Sequence, residues 1–116
     1  DVLTGMPNRQ GCIDAIAEAL AAPLQGAGVL HVVTIKFSRI LELAGIVGMK
    51  KVNAALIRLA DALRHELPQI VSIGRIRQDE LLLLMLLLSQ RLLQSRLLRL
   101  LNLLRQKSRR LLLLLL

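Results

Sequence analysis

Aromatic residues are almost missing from this chain. Phe37 is the single one in 116 residues, with no Trp and no Tyr. Base stacking has nothing to work with, so nucleic acid is not expected as a partner. The one cysteine, Cys12, excludes an internal disulfide and suits a reducing compartment. No histidine stands near it in sequence, so it reads as a buried structural thiol. His31 and His65 have no ligand partner at metal spacing, and no metal site is expected from them. The longest apolar run, Leu81 to Leu88, is far short of the roughly 18 residues of a membrane span. No N-terminal signal pattern is visible, and a cytoplasmic location is expected. Acid is missing from one region only. Residues 1–80 hold nine Lys/Arg and eight Asp/Glu, whereas residues 81–116 hold seven Lys/Arg and no acid. All but one unit of the net charge of +8 therefore lies in the last third.

The remaining composition, 54% apolar, is that of one ordinary domain spanning residues 1–116. Turn formers crowd "DVLTGMPNRQG". Ile13, Ile16, Ala17 and Leu20 then recur at helical spacing, and Pro23 and Gly26 close that helix. "VLHVVTIKF" is rich in β-branched residues and reads as a buried strand. A short helix is expected from Ser38 to about Val47. A longer one follows, with Val52, Leu56, Leu59, Ala60 and Leu63 on one face, and Pro68 ends it. "QIVSIGRI" and "LLLLMLLL" read as two strands joined by a turn carrying Arg77, Gln78, Asp79 and Glu80. Ser89 to Lys107 returns to helical spacing through Leu93, Leu97, Leu100 and Leu104. The six terminal leucines fit a fourth strand. The expected fold is α/β in the α+β sense, a single mainly antiparallel sheet flanked by helices.

Residues 81–116 are compositionally odd: 21 of the 36 are leucine, with no Ala, Val, Ile or Gly. Cores need several side-chain shapes to interlock. The identities in this segment are therefore in doubt, and its basic residues are given little functional weight; a membrane-surface or nucleic-acid binder acting through this segment is the third reading.

"DVLTGMPNR" resembles the entry signature of the GGDEF domain family, D-x-L-T-G-L-P-N-R. "RIRQDELLLLM" is similar to the family's R-x-G-G-D-E-F and the apolar strand after it. Arg75, Asp79 and Glu80 match there. Arg77 and Gln78 stand for the two glycines, and Leu81 for Phe. "GMKKVNAALIRLADAL" resembles G-H-x-x-G-D-x-x-L-x-x-x-A-x-x-L at Gly48, Leu56, Ala60 and Leu63. The resemblance implies a nucleotidyl-cyclase-like fold that stops short of the family's final elements.

It also implies an activity. Intact members join two GTP molecules into cyclic di-GMP. They use carboxylates to hold Mg²⁺ and glycines to let the backbone approach the nucleotide. By that alignment the first metal carboxylate falls on Lys36, the second Asp on Ser38, and the guanine-reading Asn on Ala44. The Asp of G-H-x-x-G-D falls on Asn53. A lysine reverses the sign of the interaction with a divalent ion. The inhibitory R-x-x-D falls on Pro68 and Val71, which cannot grip a nucleotide. The expectation is a degenerate domain with no catalytic, nucleotide-binding, metal or inhibitory site and no cofactor. Its role would be regulatory, in bacterial cyclic di-GMP signalling. Its partners would be other domains of the same protein, an EAL domain among them, or a second copy in a homodimer. That larger protein could itself be membrane-anchored. The alternative is a GTP-binding or weak cyclase domain using Asp79 and Glu80 with Mg²⁺.

Overall fold

The computed structural model describes residues 5–21, 28–87 and 90–115, the side chains of 90 and 108–115 excepted. The elements run α1 (Arg9–Ala21), β1 (Val29–Lys36), α2 (Ile40–Val47), α3 (Met49–Glu66), β2 (Ile70–Arg77), β3 (Glu80–Leu87) and α4 (Gln90–Leu115). The three strands form one sheet in the order β1-β3-β2, and both pairings are antiparallel. The α+β expectation holds.

Alternation along β3 sets the two faces of the sheet. Leu81, Leu83 and Met85 point to one face and are fully buried there. That face packs against Val52, Leu56, Leu59, Ala60 and Leu63 of α3, the stripe that the sequence spacing marks, and against Leu100 of α4. Gly48, at φ 93°, separates α2 from α3, a backbone conformation that side chains with a Cβ rarely adopt.

The opposite face takes α1. Asn8 accepts the Gly11 N–H at 2.9 Å and so caps this helix. α1 meets β2 at Gly74, where an added Cβ would lie 2.0 Å from the Cys12 sulfur and 2.9 Å from the Pro7 carbonyl oxygen. This close approach decides which side of α1 is buried. Cys12 goes in, while Ile13, Ala17 and Leu20, three residues of the apparent apolar stripe, stay exposed.

One expectation fails. The terminal leucines do not form a fourth strand; α4 continues to Leu115, and Leu116 lies outside the described residues. Leucine is among the stronger helix formers, and no Gly or Pro interrupts residues 90–115. Continuing the helix satisfies each backbone group locally, with no neighbouring strand needed. Smaller differences concern boundaries: Ser38 and Phe37 lie in the turn between β1 and α2, outside both elements.

Candidate functional site at the hairpin tip

The β2–β3 hairpin closes through Gln78 and Asp79 alone. No glycine is present, and both turn carbonyls are taken internally. Gln78 O accepts from Arg75 Nη2 at 2.8 Å, and Asp79 O accepts the Phe37 N–H at 2.8 Å. The second bond ties the tip to the end of β1.

Arg75 is the centre of this arrangement. It is buried, and its Nη1 donates to Asn53 Oδ1 at 2.7 Å. Its backbone N–H donates to Pro7 O at 2.7 Å. One residue thus joins the N-terminal turn, α3 and the hairpin tip. Burial lowers its pKa from the ordinary arginine value, and the surrounding oxygens favour the protonated form.

Charge runs across the sheet at its tip end. Lys36, the last residue of β1, is the cross-strand neighbour of Glu80, and Glu80 is that of Arg77. Arg77 Nε stands 3.8 Å from Glu80 Oε1. Lys36 and Arg77 are exposed, and Glu80 is half-buried. Glu80 therefore sits in a row between two cations.

The remaining sequence-marked positions are dispersed. Ala44 is half-buried on α2, packed against the core. Pro68 and Val71 lie exposed around the entry to β2. His65 is exposed. His31 has its Nε2 buried without a hydrogen-bond partner. Among the described residues, no group of three or more His, Cys, Asp or Glu is placed to hold a metal ion. No helix among them is long and apolar enough to cross a membrane.

The role of Asn53 escapes the sequence reading, which treats it only as a lost carboxylate. Its 22-residue link to Arg75 is tertiary. A signal was present, however: Asn53 falls on the stripe with Leu56 and Ala60, and a polar residue on a buried stripe needs an internal partner.

An antiparallel sheet with helices on both faces, and a charged two-residue tip beside the end of its first strand, is the architecture of a GGDEF-like domain. Residues 1–111 match the sequence profile of the family described as diguanylate cyclase, GGDEF domain. The chain belongs to that family, whose setting is cyclic di-GMP signalling and whose cyclases use GTP and Mg²⁺. No curated protein and no solved structure gives a match.

Proposed function

We propose that this GGDEF domain does not run the cyclase reaction and serves instead as a regulatory interaction module within cyclic di-GMP signalling. The row Lys36–Glu80–Arg77 carries the reading. A metal-bound nucleotide needs several carboxylates at the strand end beside the tip. A lysine and Ser38 stand at those family positions, and the glutamate beside them is close to an arginine. This donor set does not fit two divalent ions. Asn53 fits the same account, since its amide oxygen is engaged by Arg75. The packing residues of the family pattern, Leu56, Ala60 and Leu63, remain buried. The natural partners are then neighbouring domains of the same polypeptide, with an EAL domain the foremost candidate.

The test is incubation with GTP and Mg²⁺ or Mn²⁺, with cyclic di-GMP measured by chromatography. No product above the no-enzyme control is expected, and none from Arg77→Gly combined with Gln78→Gly, because that pair leaves Lys36 in place. Turnover by the unmodified domain would favour a weak cyclase using Asp79 and Glu80. Calorimetry with cyclic di-GMP should show no micromolar binding, given Pro68 and Val71 at the inhibitory positions.

A further inference from the structure

The positive charge of this molecule lies on one side of it. α3 and α4 together hold eleven Lys/Arg and two Asp/Glu, whereas the remaining residues hold five and six. The net charge of +8 is therefore carried entirely by the helical layer on one face of the sheet. The opposite face takes α1, with Asp14 and Glu18 exposed. Composition alone gives the bases of α4 little weight, but their place in the fold restores it. Both helices turn an apolar stripe to the sheet and a polar side to solvent. Lys50, Lys51 and Arg58 are exposed on α3, and Arg91 and Arg105 on α4. None of these five forms an ion pair among the described residues. The two acids of the layer are already held, Asp61 by Arg64 at 3.0 Å and Glu66 by Arg99 at 3.2 Å. α2, beside α3, adds one acid, Glu42.

Two leucines stand among these bases. Leu98 is 61% exposed and Leu101 53%. At about 100° per residue, Arg91, Leu98, Leu101 and Arg105 share a sector of about 80°. The helix that carries them has 26 residues and is about 39 Å long. A field of one sign over a whole layer attracts a polyanion, and nucleic acid and an anionic membrane both offer one. The leucines decide between the two. They can enter the headgroup region of a bilayer, whereas a phosphate backbone gives them nothing to bury against. No aromatic residue stands on either helix for a base to stack on. We propose that the α3–α4 layer docks on the surface of an anionic lipid bilayer, with α4 lying in the plane of the headgroups. The contact is peripheral and reversible, because Leu97, Leu100 and Leu104 stay in the domain core. It does not depend on the reading of the hairpin tip.

Co-sedimentation of the full 116-residue chain with vesicles tests this. Vesicles of phosphatidylcholine alone are compared with vesicles of phosphatidylcholine and phosphatidylglycerol, at low and high salt. Binding is expected to the anionic vesicles alone, and salt should release it. Arg105→Gln should weaken it about fivefold, and adding Arg91→Gln should take the loss beyond about tenfold. Arg9→Gln, an equal change of charge on α1, should leave it within about twofold. Leu98→Ser with Leu101→Ser should weaken vesicle binding and leave any binding to double-stranded DNA unchanged. All five side chains are exposed, so folding should be unaffected, and circular dichroism checks it. A parent chain that does not bind the anionic vesicles overturns the proposal, as does equal binding to both kinds. A loss with Arg9→Gln as large as that with Arg105→Gln also overturns it, because net charge alone would then hold the chain to the vesicle. DNA bound more tightly than the anionic vesicles, with the leucine variant as strong as the parent on both, would make the layer a nucleic-acid face and overturn the lipid one.

Discussion

The two outer strands of the sheet share one neighbour and differ in almost everything else. β2 is tied in on every side. Its register shifts twice, between Ile70 and Ser72 and between Arg75 and Arg77. Gly74 admits Cys12, and Arg75 holds Pro7, Asn53 and Gln78. β1 pairs with β3 from Val29 to Lys36 without a shift. Its outward residues Val32, Thr34 and Lys36 are exposed. Substitutions in β2 should therefore change stability, whereas those at the end of β1 can change charge with little effect on the fold. Lys36 stands on the tolerant strand, and Arg75 stands on the constrained one.

The largest break in this contrast should come from Arg75→Met. It strands the buried Asn53 oxygen, at roughly 1–3 kcal/mol, and takes the charged donor from the Gln78 carbonyl at the exposed tip, so urea unfolding should show a loss of about 3 kcal/mol. A loss below about 1 kcal/mol would mean that the brace is incidental. Gly74→Ala should cost about 2 kcal/mol by overpacking against Cys12 and Pro7. Adding Cys12→Ala should recover part of that cost in a double-mutant cycle, because the sulfur is the nearer obstacle. On β1 the sign reverses. His31→Leu removes a buried nitrogen without a partner and should stabilise by about 1 kcal/mol. Thr34→Val, at an exposed position of the same strand, should stay within about 0.5 kcal/mol.

Cys12 adds a dependence on pH. Burial pushes its thiol above the ordinary value. A raised pKa in the folded state favours folding while the thiol is protonated. That contribution is full below the unfolded thiol pKa and is lost as pH rises through the folded one. Stability should fall in the alkaline range, and Cys12→Ala should remove that part of the slope.

Most of the architecture was legible where chemistry alternates along the chain. The stripe from Val52 to Leu63 contrasts sharply with its polar neighbours, and the hairpin is marked by four polar residues between apolar runs. The terminal leucines offered no contrast at all, so periodicity could not choose between strand and helix. The buried side of α1 was hidden for another reason. Ile13 and Leu20 are more apolar than Ala15 and Ala19, yet Gly74 sets the side on which the helix can come close. At the tip, the charges were legible one by one. Their order across three strands required the register.

The hairpin's two-residue closure bears on how the chain finds its fold. Residues 77 and 80 meet after three steps along the backbone, whereas Lys36 and Glu80 are 44 apart. Closing the longer loop costs about 2 kcal/mol more in chain entropy. The β2–β3 pair should therefore form first, with β1 added late as a strand on a finished template. Mutations at the tip would then slow folding, while those along β1 would mainly speed unfolding. A turn that starts the folding reaction has a reason to persist whether or not it ever holds a nucleotide.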